Sequence, residues 1–222
     1  MHKPIFFDLG WTLENEMVSQ VDRAEKVVAF CKEIGITTSI DNVLQGQDEA
    51  GKNGVSNVFK YALTFIGVPE NQISIVLKKA NWNPEYLELY EDAIKCLELL
   101  FKENALGIIA NQSKPVDNRL KAYGIYKYFK PIISSCDVGC EKPDLEIFRL
   151  ALKQSTNLFS ENWMIGDRID NDIIPAKKMG WKTIRVLQGN HRQQEPKTDI
   201  EKADYTVNKL SEIPEILKQR IV

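Results

Sequence analysis

The chain has 222 residues, enough for one large domain or for a main domain with a smaller one inserted. Its 43% hydrophobic and 27% charged residues are typical of a globular protein and exclude a disordered or fibrous chain. A formal net charge of −2 gives no positive excess for holding a phosphate backbone, so nucleic acid is not an expected partner. No apolar stretch approaches the roughly 20 residues that cross a bilayer, and a charge follows the N-terminus too soon for a signal peptide. We therefore expect a cytoplasmic protein that does not enter a membrane.

The first predicted element is a buried strand over residues 4–7, because a short apolar run there stops at Asp8 and Gly10. From about residue 15 to residue 83 the apolar positions follow helical spacing, broken by glycines and Pro69. No strong strand pattern interrupts this region. We therefore predict a helical cap domain over 15–83, inserted between two parts of a core domain, 1–14 and 84–222.

After Pro84 the pattern alternates between helices and short strands rich in Ile and Val. Such alternation predicts an α/β fold, with a doubly wound and mostly parallel sheet that helices cover on both faces. The polar stretch over 188–202 is predicted to be a surface loop. In chain order the predicted helices are 91–102, 114–123, 144–154, 172–179 and 213–219, and the predicted strands are 105–110, 131–134, 163–165 and 182–186.

Polar side chains follow three of these strands, at Asp8, Asn111 and Asp167, and Lys142 precedes a predicted helix. The carboxyl ends of parallel strands meet at one edge of a sheet, so we expect these groups to converge there. Two adjacent carboxylates repel each other and favour a hard divalent cation, for which Mg²⁺ is the best candidate. Asp8 is then a candidate nucleophile toward a phosphate ester, with Lys142 balancing the negative charge. The alternative is that Asp8 is a turn residue and that Lys142 and Asp167 are surface or helix-start charges.

Four segments in this order resemble the motifs of the haloacid dehalogenase (HAD) superfamily, specifically its phosphatase-like members with a helical cap inserted after the first strand. The first is Phe-Phe-Asp-Leu-Gly-Trp-Thr-Leu over residues 6–13, and the second is Gly-Ile-Ile-Ala-Asn over 107–111. The third runs over 138–148 around Lys142-Pro143-Asp144, and the fourth is Gly-Asp-Arg-Ile-Asp-Asn-Asp over 166–172. Residues 203–207 and 210–213 are similar to the family's usual last strand and helix. The resemblance covers nearly the whole chain.

This resemblance implies a Rossmann-like HAD core and a Mg²⁺-dependent phosphatase that acts on a small phosphorylated molecule. By the same resemblance Asp8 is the nucleophile and a metal ligand, and Lys142 is the stabilising lysine that also binds substrate. The other implied metal ligands are Asp167, the backbone carbonyl of Gly10, and Asp172 acting through water. Asn111 and Trp11 are candidate substrate contacts, although Trp11 also fits a packing role between sheet and cap. We expect a monomer or a homodimer.

The chain departs from the family pattern at two positions. Gly10 stands where phosphatases of this family have a second Asp, which protonates the leaving group and activates water. Ala110 stands where a Ser or Thr hydroxyl usually bonds a phosphoryl oxygen. The groups near enough in sequence to fill these gaps are Ser113, Asn111, Thr12, Glu14 and Glu16.

These departures leave three functions open. An unfilled gap predicts a narrow or slow phosphatase that favours good leaving groups. The alternative is a catalytically impaired homologue that binds a phosphorylated ligand or a protein partner in the same pocket. Dehalogenases of the family also lack the second Asp, but they work without a metal and do not keep the aspartate pair of the fourth motif. The presence of Asp167 and Asp172 therefore argues against carbon–halogen cleavage.

Overall fold

The structure, a computed structural model, describes residues 3–155 and 161–218. The chain divides into two compact units. The first comprises Met1–Glu14, Leu89–Gln188 and Pro196–Val222, and the second comprises Asn15–Glu88 and Gly189–Glu195. The second unit is thus longer than the segment 15–83 expected for the cap, and the chain enters it twice.

The strands of the structure are short. They are β1 (Lys3–Phe7), β2 (Glu14–Asn15), β3 (Glu88–Leu89), β4 (Asn104–Ala110), β5 (Phe129–Ser134), β6 (Trp163–Gly166), β7 (Lys182–Val186) and β8 (Tyr205–Val207). Six of them form one sheet in the order β5-β4-β1-β6-β7-β8, and every neighbouring pair is parallel. The strands β2 and β3 form a separate two-stranded sheet. This topology confirms the predicted α/β fold with a parallel sheet.

In the second unit the helices are α1 (Met17–Glu33), α2 (Ile40–Lys52), α3 (Val58–Phe65) and α4 (Glu70–Lys79). In the first unit they are α5 (Ala93–Phe101), α6 (Asp117–Ala122), α7 (Ser135–Val138), α8 (Leu145–Gln154), α9 (Ile174–Lys178) and α10 (Ile213–Lys218). The helices α5, α6, α8, α9 and α10 lie close to their predicted positions, whereas α7 was not predicted. Of the helix predicted over 213–219, residue 219 lies outside the described residues. No described helix is long and apolar enough to cross a membrane.

Both faces of the large sheet are covered, as the alternation of side chains along β1 shows. Phe6 belongs to one buried cluster, with Ile109, Met164 and side chains of α8 and α9. Ile5 and Phe7 belong to a different cluster, which includes residues of α5, α6 and α10. Successive side chains of a strand point to opposite faces, so β1 is buried on both sides. This double burial explains why the strand is read as a continuous apolar run.

The second unit has a hydrophobic core of its own. Apolar side chains of α1, α2, α3 and α4 form one cluster that includes Val27, Val43, Leu63 and Val76. Ser39 caps the N-terminus of helix α2, and its side chain accepts a hydrogen bond from the backbone amide of Asn42. Asn57 caps α3 in the same way, through the backbone amide of Lys60. The helical character predicted for this region is observed.

The prediction of a surface loop over 188–202 is wrong for part of that segment. Asn190 and His191 are only 7% and 4% exposed. The side-chain Nδ2 of Asn190 donates to Gln47 Oε1 at 3.3 Å. Arg192 binds the Asp48 carboxylate with two nitrogen atoms, at 2.9 and 2.6 Å. A polar sequence misleads here because its side chains are paired within the second unit.

Trp181 is the central aromatic side chain of one face of the sheet. It stacks on Phe6, with the ring centroids 5.1 Å apart. It also meets Phe148 in an edge-to-face arrangement, with the ring centroids 5.5 Å apart. We expect Trp181→Ala to lower the free energy of unfolding by about 3–5 kcal/mol, because it leaves a cavity in a closely packed core. Urea denaturation measures this change. Ile94→Ala is the matched control, since Ile94 is 43% exposed, and should change stability by less than about 1 kcal/mol.

Candidate active site

Asp8 and Asp167 lie at the carboxyl ends of two neighbouring strands. Strand β1 pairs with β6 so that Phe7 is opposite Ile165, and each aspartate follows shortly after this pair. The Asp8 amide donates to the Ile165 carbonyl at 2.9 Å, which continues the ladder by one step. The two carboxylates are brought together by the sheet itself, as the sequence predicts for parallel strands.

Lys142 joins two of the site's carboxylates. Its ammonium Nζ lies 2.7 Å from Asp8 Oδ1 and 2.6 Å from Asp172 Oδ1. Burial alone lowers the pKa of this lysine, but the adjacent carboxylates of Asp172 and Asp8 outweigh burial, so its pKa is raised. The side chain therefore stays charged. Because Lys142 and Asp167 are 3% and 2% exposed, the alternative that they are surface charges does not hold.

The acidic side chains Asp8, Asp167 and Asp172 form a compact group. One carboxylate oxygen from each lies within 4.8 Å of the others. Burial, followed by repulsion from Asp172 and Asp8, raises the pKa of Asp167 well above its usual value. Burial also raises the pKa of Asp172, to about 6, against the opposing effect of Lys142. These shifts show that the negative charges are poorly compensated by the protein groups around them.

A local turn places Asp172 in the site. Residues Ile169–Ile173 form a π-helical turn, and the Arg168 amide donates to Asp172 Oδ2 at 3.0 Å. The Asp172 carboxylate lies directly against Gly166, where a side-chain carbon would overlap it. A glycine is therefore required at the end of β6 for this aspartate to reach the site.

The donor set fits Mg²⁺. Three carboxylates offer the hard oxygen ligands that this ion prefers, and it holds them at about 2.1 Å, so two oxygens on opposite sides are about 4.2 Å apart. Oxygens within 4.8 Å of one another need only a small inward shift to meet one ion. Both oxygens of Asp172 already accept hydrogen bonds, from Lys142 and from the Arg168 amide. This favours contact of Asp172 with the ion through water, with Asp8 and Asp167 as direct ligands.

Asn111 is held against the backbone of Lys142. Its Nδ2 donates to the Lys142 carbonyl at 2.8 Å, and its Oδ1 accepts from the Lys142 amide at 2.8 Å. Asn111 therefore fixes the loop that carries the lysine, a contact that the sequence does not predict. Its role in substrate binding stays a prediction.

Trp11 has an unusual backbone for a large side chain. Its φ is +54°, in the left-handed region that non-glycine residues rarely adopt, and its side chain is 9% exposed. It sits in a tight turn in which the amides of Thr12, Leu13 and Glu14 all donate to the Leu9 carbonyl. A contact of Trp11 with substrate stays a prediction.

The groups considered as replacements at Gly10 and Ala110 lie in different surroundings. Gly10 forms a backbone bridge with Glu14, and the buried Ala110 is paired in register with Ser134. The hydroxyl of Thr12 is buried and has no hydrogen-bond partner within residues 3–155 and 161–218. Glu14 is engaged by Arg119, Ser113 is exposed, and Glu16 belongs to the second unit. None of these contacts supplies a proton donor at Gly10.

Two further residues near the site, Arg185 and Arg119, are absent from the sequence-based candidates. Arg185 is 4% exposed, and its Nε donates to the Asp167 carbonyl at 3.1 Å. Arg119 binds Glu14 and also Gln112, the neighbour of Asn111. A signal exists for Arg185, because a charged residue interrupts the apolar strand β7. Arg119 has none, since helical surfaces commonly carry arginine.

Comparisons with known proteins show which family this chain resembles. A HAD-hydrolase-like family model matches residues 139–213. The glyceraldehyde 3-phosphate phosphatase of Methanocaldococcus jannaschii is 31% identical over 228 residues, covering 98% of each chain. That of Methanopyrus kandleri is 26% identical over 233 residues, covering 99% of this chain and 98% of the other. In structure, a HAD hydrolase of Bacillus subtilis bound to magnesium covers 97% of this chain and 98% of its own, at 21% identity and a TM-score of 0.69.

Fold, site and relatives together define a phosphatase-type hydrolase. The chain belongs to the HAD superfamily, as the four motifs predict.

The raised pKa values predict how Mg²⁺ stabilises the protein at different pH. Between pH 3.8 and about pH 6, Asp172 stays protonated in the folded chain without metal, whereas in the unfolded chain it has lost its proton. Protonation of Asp172 therefore stabilises the folded chain. This stabilisation is fully present below pH 3.8 and is lost as the pH rises through about 6. Mg²⁺ binds the deprotonated carboxylates, so it should raise Tm more at about pH 7.5 than at about pH 5.

Thermal unfolding with and without Mg²⁺ at both pH values tests this expectation. Asp167→Asn should lose most of the Mg²⁺-dependent shift, whereas Lys3→Met, remote from the carboxylates, should keep it. An equal shift at the two pH values in the wild type would contradict a metal site built from these aspartates.

Proposed function

We propose that this protein is a Mg²⁺-dependent phosphatase that hydrolyses a small phosphorylated sugar or aldehyde through a phosphoryl group carried on Asp8. Glyceraldehyde 3-phosphate is the first candidate substrate. The observation that supports the proposal most strongly is the contact of Lys142 Nζ with both Asp8 and Asp172, beside Asp167. This arrangement provides a nucleophile, a fixed positive charge and a set of oxygen ligands at one end of the sheet.

Each residue has a chemical task in this mechanism. Asp8 Oδ1 is held by Lys142, which leaves Oδ2 to attack the phosphorus atom. The new bond joins Asp8 Oδ2 to phosphorus, and the ester oxygen leaves with the bonding electron pair. Water then attacks the phosphorus atom, and the bond between phosphorus and Asp8 Oδ2 breaks. The Asp8 carboxylate is restored, and the oxygen and protons of the water leave with the inorganic phosphate. The ammonium of Lys142 stabilises the negative charge of the phosphoryl oxygens throughout.

Mg²⁺, held by Asp8, Asp167 and the Gly10 carbonyl, with Asp172 acting through water, would neutralise charge on the phosphoryl group and orient it toward Asp8. The protein groups prepare this position before the ion binds. Asp8 and Asp167 are fixed by adjacent strands. Asp172 is fixed by the space that Gly166 leaves for it and by the backbone amide of Arg168.

The leaving group determines how much the missing acid at Gly10 matters. Glyceraldehyde 3-phosphate releases glyceraldehyde, whose hydroxyl oxygen has to take up a proton as it leaves. Acetyl phosphate releases acetate, which does not need a proton. The relatives of 31% and 26% identity are named for the former substrate. We expect slow turnover of such sugar phosphates and comparatively fast turnover of acetyl phosphate.

Asp8→Asn tests the nucleophile directly. Phosphate release from acetyl phosphate, para-nitrophenyl phosphate and glyceraldehyde 3-phosphate should depend on Mg²⁺ and fall by at least about 10³-fold in the variant, since the substituted amide is a poor nucleophile. Lys3→Met is a suitable control because Lys3 begins β1 at the end of the sheet opposite Asp8. Turnover that survives in Asp8→Asn would contradict the proposal.

Gly10→Asp tests the role of the missing acid. Gly10 is not among the described glycines with positive φ, so an aspartate there needs no left-handed backbone. The new carboxyl should raise kcat for glyceraldehyde 3-phosphate by about 10²–10⁴-fold and leave acetyl phosphate nearly unchanged. Measurement of kcat for both substrates checks this difference. An equal change for both would mean that proton donation does not limit the wild type.

The residues Gly10 and Ala110 favour a second candidate function, the binding of a phosphorylated ligand or a protein partner without turnover. A folded wild type that binds glyceraldehyde 3-phosphate in calorimetry but releases no phosphate from any of the three substrates would favour this second function.

A further inference from the structure

The ion pair of Glu14 and Arg119 begins in the turn that follows the nucleophile Asp8. The Glu14 side chain is 1% exposed and that of Arg119 is 18% exposed. Two nitrogen atoms of the guanidinium donate to the carboxylate, Nε to Oε1 at 2.6 Å and Nη2 to Oε2 at 3.2 Å. A buried pair of this kind contributes little to stability compared with an apolar pair of the same shape. Its presence beside the site therefore calls for an explanation other than stability.

Glu14 belongs to the turn that carries the nucleophile. Its amide donates to the Leu9 carbonyl at 2.9 Å, and the Leu13 amide donates to the same oxygen at 2.9 Å. Leu9 directly follows Asp8, so the turn connects the Glu14 side chain to Asp8 through one short piece of backbone. The turn includes Trp11 at φ +54°, a conformation that needs support from its surroundings. Glu14 supplies that support through Arg119.

Arg119 also reaches the loop after β4. Its Nη2 donates to Gln112 Oε1 at 3.0 Å. Gln112 is fixed at its backbone, since its amide donates to Ser135 Oγ at 2.9 Å and its carbonyl accepts from the same hydroxyl at 3.1 Å. The guanidinium thus connects the turn after β1 with the loop after β4.

Together these contacts form a closed ring of connected residues that includes the reacting groups Asp8 and Lys142. Asn111, next to Gln112, holds the amide and carbonyl of Lys142, and Lys142 Nζ returns to Asp8 at 2.7 Å. In order, the members of the ring are Asp8, Glu14, Arg119, Gln112, Asn111 and Lys142.

We propose that Glu14 and Arg119 are positioning residues. They hold the turn after Asp8 at a fixed distance and orientation relative to the loop that carries Lys142. The inference rests on the phosphatase function proposed above. The pair touches neither substrate nor metal in this account and acts by fixing the Asp8–Lys142 contact. A displacement of reacting groups by about 1 Å can reduce a rate by about 10²-fold, so loss of this register should appear in kcat.

Arg119→Lys is the most informative variant. It keeps the positive charge beside Glu14 but lacks the planar group that binds the carboxylate twice and also reaches Gln112. We expect kcat for acetyl phosphate to fall by about 10–100-fold, with KM changed by less than about threefold. Gln112→Ala removes only the contact between Arg119 and Gln112, so we expect a smaller decrease in kcat than for Arg119→Lys.

Lys3→Met is the control for loss of an ion pair. Lys3 binds Glu161 at 2.6 Å, and it begins β1 at the end of the sheet opposite Asp8. It should keep the wild-type kcat even if its Tm decreases as much as that of Arg119→Lys. Millimolar methylguanidine should restore part of the kcat of Arg119→Ala, and it should not affect Lys3→Met.

Titration calorimetry with Mg²⁺ gives a measurement that needs no turnover. A displaced Asp8 should weaken Mg²⁺ binding in Arg119→Lys by about tenfold or more, whereas Lys3→Met should bind as the wild type does. If the wild type and Asp8→Asn are both inactive, the proposed function fails, and calorimetry still decides on the pair. Wild-type kcat and Mg²⁺ affinity in a folded Arg119→Lys variant, or the same losses in Lys3→Met, would overturn the inference.

Discussion

The site depends on the ammonium of Lys142 between the carboxylates of Asp8 and Asp172. A buried charge is strongly unfavourable unless it is paired and hydrogen-bonded, and here one positive group faces three negative ones. The lysine allows the three aspartates to lie close together in a folded chain. It leaves a negative excess in this group of four, which a divalent cation and a phosphate ester are suited to share.

The parallel sheet supplies the geometry for this arrangement. Neighbouring strands β1 and β6 end at the same edge, so Asp8 and Asp167 meet although they are 159 positions apart in the sequence. The remaining parts of the site adjust this edge locally. Gly166 leaves room for Asp172, and Asn111 holds the backbone of the lysine. The charged groups of the proposed phosphatase site thus converge at this edge, whereas Gly10 has no side chain that could act as an acid.

Much of this arrangement is predictable from the sequence. An apolar run that stops at an aspartate indicates a strand end, so Asp8 and Asp167 are found without a structure. The contact of Lys142 with Asp172 is harder to predict, because it depends on the π-helical turn that brings Asp172 back toward β6. The pair of Glu14 and Arg119 is harder still, since 105 residues separate its members and neither stands in a strong local pattern. Burial of Asn190 and His191 is missed because polar composition normally indicates exposure.

The proposed mechanism requires that Asp8 carries the phosphoryl group. The decisive experiment mixes the wild type with acetyl phosphate and Mg²⁺, quenches the mixture in acid and analyses the peptides by mass spectrometry. We expect one phosphoryl group on the peptide that contains Asp8. It should be removed by hydroxylamine, which cleaves acyl phosphates, and be absent from Asp8→Asn. Turnover of acetyl phosphate by Asp8→Asn at the wild-type rate, or a phosphoryl group found on a different residue, would contradict it.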